Sequence, residues 1–257
     1  MKKGGTIKWL DTVESTQDEV LRASASLGNL DVIAAREQTA GRGQRGNRWS
    51  SARGENLTFS MLLRFGGDGF PPLPAACQFV ISEATTLAVS SFLERLGVGV
   101  RIKWPNDLYV GDRKICGMLI ENSLACGRLS RSIVGIGLNL NQTVFPPALL
   151  NPTSVRRQCG ISLDPEAALE DLHALLAEEF SLFEVPRVPQ DGSLDRLRQR
   201  YLEKLYRKDR RYPYTDRWSG TVFTGCIRDV TPEGLLAVED DQGRIRNFGF
   251  KEISYIL

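Results

Sequence analysis

Gly41-Arg42-Gly43-Gln44-Arg45-Gly46 spells Gly-x-Gly-x-x-Gly, a spacing in which absent side chains let backbone N–H groups approach an anion closely. In a dinucleotide-binding fold the same spacing opens a helix whose N-terminus takes the pyrophosphate. Here residues 47–54 show no apolar repeat at 3.6 residues and end in another glycine. Between Arg36 and Arg53 lie five arginines and one glutamate. Forked guanidinium donors beside exposed amides make a loop for phosphate or carboxylate. Its small residues and slight apolar anchoring beyond Trp49 predict a segment that is mobile until a ligand orders it.

Two further clusters can do chemistry. Lys103-Trp104-Pro105-Asn106-Asp107 follows the strand-like run 98–102, and Pro105 both fixes its own φ and biases Trp104 towards extended backbone. The segment therefore reads as a held turn that places Asn106 and Asp107. Lys114 follows the Gly111-Asp112 turn and leads into an apolar run through Ile120; taken alone, a lysine there is a solvated hairpin residue. His173 is the single histidine, in a helix-spaced stretch with Leu169, Leu172, Leu175, Leu176 and Phe180, so it reads as structural. One histidine excludes His-Glu-x-x-His zinc chemistry and argues against Ser–His or Cys–His nucleophiles. No metal-ligand cluster is visible in the sequence. The chemistry must run on positioning and positive charge.

The order of these motifs, with Ser15-Thr16-Gln17 upstream and Gly135-Ile136-Gly137-Leu138-Asn139 downstream, resembles the biotin protein ligases over nearly the whole chain from Trp9. The resemblance implies activation of biotin by MgATP to biotinyl-5′-AMP and transfer to a lysine of a biotin carboxyl carrier protein. It implies Lys114, Arg42 and Asp107 as catalytic residues. Ser15, Thr16, Gln17, Gln38, Gly41, Arg42, Gly43, Lys114, Gly117 and Leu119 would bind biotin. Arg42, Gln44, Arg45, Trp49, Lys103, Asn106 and Asn139 would bind nucleotide. Mg²⁺ is expected to travel with ATP, with no dedicated protein ligands assigned. Gln44 departs from the arginine that many members carry, so it brings hydrogen-bonding capacity without charge. Trp49 is open between stacking on adenine and plugging the end of the loop, and Ser15 and Thr16 also serve as plain helix caps. The alternatives are a lipoate or octanoate ligase of the same superfamily and a biotin-responsive DNA-binding repressor. The second is disfavoured because the ligase-like region already begins at Trp9.

The elements that must position these groups read as α+β. Strands are predicted over 6–10, 32–36, 57–65, 100–104, 114–122 and 132–140, and helices from Ser15 to about Leu27, over 75–96, over 165–183 and over about 192–207. They imply a mixed sheet with helices packed on one side, and the resemblance makes this a class II synthetase-like ligase core. A change of composition at 208–213 divides residues 1–208 from 209–257. The latter shows short alternating strands at 218–230, 234–239 and 244–250, read as a small β-barrel that the family implies is SH3-like. Net charge is +2, too balanced for a general nucleic-acid binder. The five cysteines are scattered, with no C-x-x-C spacing; no signal peptide or long apolar run is read, so reduced thiols, a cytoplasmic location and no membrane are expected. A monomer or homodimer fits equally.

Overall fold

The computed structural model describes residues 4–149, 151–184 and 192–256, together with the backbone of Arg45. Arg45's side chain, proposed above for nucleotide binding, lies outside the described atoms. A seven-stranded sheet forms from β1 (Ile7–Val13), β2 (Val32–Gln38), β3 (Leu57–Arg64), β4 (Arg101–Lys103), β5 (Asp107–Val110), β6 (Arg113–Ala125) and β7 (Arg128–Leu138). Its spatial order is β1-β2-β3-β7-β6-β5-β4, with β1 and β2 parallel and every other neighbour antiparallel. The mixed sheet read from the sequence is therefore present, with β5 as an added strand inside the Asn106-Asp107 region.

The sheet's two faces follow from strand alternation. On β2 and β3, Val32, Ala34, Phe59, Met61 and Leu63 enter the main core. There they meet α2 (Val80–Arg95) and α4 (Pro165–Phe180). Ile33, Leu62 and Ile133 point the other way and cluster with Val20 of α1 (Thr16–Arg22). Helices thus cover both faces, not one. The expectation of helices on one side is corrected by α1, which is shorter than the predicted span from Ser15 to about Leu27 and buries Val20 on the face opposite α2 and α4. α4 starts where predicted: Asp164 accepts bonds from the backbone of Glu166 and Ala167, and Pro165 occupies the first turn. His173 is buried in it, with Nε2 at 2.9 Å from the Leu30 carbonyl, a structural role.

Against the expectation of no long apolar run, the stretch Ala75–Arg95 is long and apolar enough to cross a membrane, but α2 is the buried centre of the core. Its Thr85, Thr86 and Ser90 hydroxyls are tied back to the Ile81, Ser82 and Thr86 carbonyls at 2.6–2.8 Å, so they need no outside partner.

After two short helices, α3 (Val155–Cys159) and α5 (Ser193–Glu203), a second antiparallel sheet forms. It contains β8 (Arg211–Asp216), β9 (Val222–Val230), β10 (Leu236–Glu239), β11 (Ile245–Phe248) and β12 (Ile253–Tyr255), in the order β11-β10-β9-β8-β12. Arg246 on β11 ion-pairs with Asp216 on β8, drawing the sheet into a small barrel-like unit. Tyr214, Val238 and Phe248 of this unit belong to the same continuous core as α2.

Candidate active site

A cleft of about 570 Å³ opens on the α1 face of the large sheet. Its floor comes from three strands in register. Thr58 and Ser60 of β3 stand opposite Gly137 and Gly135 of β7, and these face Gly117 and Leu119 of β6. The two-residue period sends this small row to one face while Phe59, Ile136 and Met118 go to the core. The glycines are spatial requirements. A Cβ at Gly137 would overlap the Trp49 indole, 2.6 Å from Cδ2 and Cζ2; one at Gly135 would be 2.6 Å from Gln17 Oε1; one at Gly117 would be 2.8 Å from Lys114 Nζ.

Above the floor runs a chain of hydrogen-bonded side chains. Gln38 Oε1 accepts from the Thr16 amide at 2.8 Å and from its hydroxyl at 3.1 Å. The Thr16 and Ser60 hydroxyls are 2.9 Å apart, and Ser60 donates to Gln17 Oε1 at 3.0 Å. Gln17 Nε2 donates to Glu121 at 2.9 Å, and Arg42 bridges Glu121 and Asp18 at 2.7 Å each. Ser15 occupies the N-cap position of α1 with extended backbone, yet its side chain makes no capping bond. Its Oγ is buried, lines the cleft and has no partner among the described residues. An unspent hydroxyl at the edge of a satisfied network suits a small polar ligand, since a buried hydroxyl left unmatched costs about 1–3 kcal/mol. Thr16 and Gln17 have their bonding capacity engaged, which orients them.

The charged end of the cleft holds Lys114. Its Nζ pairs with Asp107 Oδ2 at 2.7 Å and lies 6.0 Å from the Trp49 ring centre. Lys114 is placed by its backbone: its amide donates to Asn151 and its carbonyl accepts from Thr153, which ties the start of β6 to the 151–153 segment. Asp107 comes from β5 just after the cis Trp104–Pro105 bond. The Gly41–Gly46 loop closes the other wall. The Gly43 amide donates to Asn47, the Trp49 amide donates to Gly41, and Gln44 Nε2 donates to Asn106 Oδ1 at 3.0 Å. Beyond the apolar contact of Trp49, the loop is tied by these polar bonds and by both ion pairs of Arg42. Trp49 lies against Gly117 and Gly137, packed onto the sheet floor.

Among the residues singled out from the sequence, Ser15, Thr16, Gln17, Gln38, Arg42, Gly43, Gln44, Trp49, Asp107, Lys114, Gly117 and Leu119 line this one cleft. Gly41, Lys103, Asn106 and Asn139 do not. Gly41 is buried behind the loop, where a Cβ would meet the Trp49 carbonyl. Asn106 is buried and bridges Gln44 to the Met118 carbonyl, its Nδ2 donating at 3.0 Å. Asn139 donates to Thr153 at 2.8 Å and receives the Val155 amide, so it anchors the segment entering α3. Lys103 turns into an aromatic nest, donating to the Tyr109 hydroxyl at 3.1 Å and lying 5.0 Å from the Tyr255 ring centre, and burial there pushes its ammonium pKa down. Asn106, three residues on, bonds instead to Gln44 and to the Met118 carbonyl of β6, so one motif serves two sides. Arg48 of the arginine-rich loop also lines the cleft, and so do Asn47, Ser60, Ala148, Leu149 and Asn151, which the sequence did not single out. Ala148, Leu149 and Asn151 carry neither periodicity nor a motif in the sequence, and the bonds of Asn151 to Lys114 and Asp112 place it here.

The model of the biotin/lipoate A/B protein ligase family matches residues 9–139. The chain belongs to that family. The matched span contains the loop, Asp107, Lys114 and the glycine floor. Over 254 residues the chain is 31% identical to the bifunctional ligase/repressor BirA of Escherichia coli K12, covering 98% of this chain and 74% of that protein. It is 30% identical over 182 residues to the biotin–[acetyl-CoA-carboxylase] ligase of Paracoccus denitrificans, covering 67% and 70% respectively. Among solved structures, a biotin protein ligase from Aquifex aeolicus in complex with biotin and ATP superimposes with a TM-score of 0.75. That match is 24% identical and covers 97% of both chains, and it supports this ligase fold along the whole length.

Proposed function

We propose that the chain is an ATP-dependent biotin protein ligase. Biotin's carboxylate oxygen attacks the α-phosphorus of ATP, forming the acyl–phosphate bond of biotinyl-5′-AMP and releasing pyrophosphate. The ε-amine of a lysine on a carboxylase carrier protein then attacks the acyl carbon, the bond to phosphate breaks, and AMP leaves. The single observation that carries this reading is Lys114, whose ammonium lines the cleft between the Arg42 loop and the glycine floor. Two anions must meet in the first step, and a fixed cation between them lowers their repulsion and stabilises the charge that develops. Asp107 holds that ammonium in place. Ser15, Thr16, Gln17 and Gln38 supply the polar end for the ureido ring, with Leu119 and the glycines giving room beside it.

ATP brings a divalent cation, which would supply charge neutralisation at the phosphates. Asp107 is the sole carboxylate lining the cleft among the described residues, and it is engaged with Lys114; no group of three or more potential metal ligands occurs among them. Phosphate oxygens and water would therefore hold most of the cation's coordination sphere. We also assign residues 1–208 to a catalytic domain and 209–257 to the small barrel; every residue lining the cleft falls in the first.

Incubation with [α-³²P]ATP and either biotin or lipoate tests the reading. Labelled biotinyl-adenylate is expected, followed by transfer to a carboxyl carrier protein. Adenylation of lipoate in preference to biotin would replace biotin by the related acyl acid.

A further inference from the structure

A side chain of the barrel-like unit reaches the cleft loop. Lys251 Nζ donates to the Gln44 carbonyl at 3.2 Å, across 207 residues of sequence. Three features build this contact. Phe250, next to it, has its ring 5.3 Å from that of Trp104 and 6.4 Å from that of Phe79, seating the turn against the Trp104–Pro105 segment. Trp104 Nε1 in turn donates to the Gly234 carbonyl of the barrel at 3.1 Å. Lys251 itself holds φ at +65°, a left-handed conformation that is costly for a side chain bearing a Cβ. The turn is fixed on both sides, with the Gly249 amide donating to Glu252 at 2.6 Å and the Arg217 amide donating to the Glu252 carbonyl at 2.7 Å. No ion pair engages Lys251 among the described residues.

We propose that Lys251 is a positioning residue of the ligase, a latch by which the barrel holds the Gly41–Gly46 loop closed over the acyl-adenylate. Gln44 is the bolt. Its side chain is fixed to Asn106 and its carbonyl to Lys251, so the loop is gripped from the sheet and from the barrel at one residue. The ammonium, in no ion pair among the described residues, also adds positive charge beside a loop that handles phosphate, which disfavours loss of the adenylate. What the loop retains rests on the ligase reading; the latch itself does not.

Two arms therefore test it separately. Hydrogen exchange across residues 41–49 of the full chain, without substrate, is expected to be about threefold to tenfold faster in Lys251→Met than in the parent, the loss of one modest charged hydrogen bond. Lys251→Arg should restore protection, and thermal unfolding should stay unchanged in both. Release of preformed biotinyl-5′-AMP should accelerate by the same factor. Exchange in the loop equal to that of the parent would overturn the latch. So would faster exchange spread over the whole barrel, because that reports lost docking. If the parent forms no biotinyl-adenylate, the ligase reading falls while the exchange arm still decides the latch.

Discussion

Lys114 and Arg42 are both cations of the cleft, but their surroundings assign them different work. Lys114 has one acidic neighbour, Asp107, at the open end of the site, whereas Arg42 is shared between Asp18 and Glu121. All three ion pairs are partly exposed, so breaking any of them should cost the fold no more than about 1 kcal/mol. Lys114→Ala should therefore fold normally and lose about two to three orders of magnitude in adenylate formation, measured by [α-³²P]ATP turnover. Near-parental turnover would remove Lys114 from the mechanism. Arg42→Ala should instead weaken biotin binding less than adenylate retention, releasing the adenylate at least about tenfold faster, read as labelling of bystander lysines. Equal leakage from parent and variant would deny Arg42 a retaining role. At this scale the sequence was a good guide where a residue type had few other uses. An arginine in a glycine loop and an aspartate locked behind Pro105 could be singled out on sight. Lys103 and Asn139 could not be placed the same way. Strand alternation turns Lys103 into the Tyr109–Tyr255 nest, and the fate of the Asn139 amide depends on Thr153, a residue with no motif.

The element that matters most is the small-residue floor made by β3, β6 and β7. Gly135-Ile136-Gly137 was legible as part of a motif, but its purpose became clear only in the sheet register, where the bare face receives Trp49. Trp49 packs against Gly117 and Gly137, with its indole nitrogen buried and without a hydrogen-bond partner among the described residues. Gly137→Ala keeps a strand-compatible residue in β7 but places a methyl inside that indole. Such overpacking costs about 1–3 kcal/mol, and the cheapest relief is to swing Trp49 out. The variant should show red-shifted tryptophan emission absent from a Gly137→Ala/Trp49→Phe control, and roughly tenfold weaker retention of the adenylate. Unchanged emission with unchanged retention would show that the floor tolerates a side chain. Elements missed in the sequence share a physical cause. β8 carries Pro213 at its centre, which lacks a donor and reads as a break, yet the Pro213 carbonyl still accepts from Ile256. β5 and β12 have only four and three residues, too short for alternation to declare itself.

Across the whole molecule, the large sheet and the barrel share one core, and α2 runs through its middle with a carboxylate that nothing on the cleft side uses. Glu83 is completely buried, and Arg198 of α5 approaches it only to 3.5 Å. Burial raises its pKa to about 7, with Arg198 opposing the rise and Asp229 of β9 adding to it. Because α2 is buried on all sides, no helical stripe distinguished Glu83 in the sequence, whereas the α+β class and the later change to short strands were plain from periodicity. The consequence is a stability that depends on pH. An acid whose pKa rises on folding stays protonated in the native chain while the unfolded chain ionises near its ordinary 4.5. Native stability should thus fall as pH climbs from about 4.5 towards about 7 and level off above. Glu83→Gln keeps the shape without the proton and removes this slope. Urea unfolding at pH 5, 6, 7 and 8 should show the parent losing on the order of 2 kcal/mol relative to the variant across that range. Parallel curves for the two proteins would mean that Glu83 keeps an ordinary carboxyl pKa, with Arg198 stabilising its charge fully and the joint between α2 and α5 indifferent to pH.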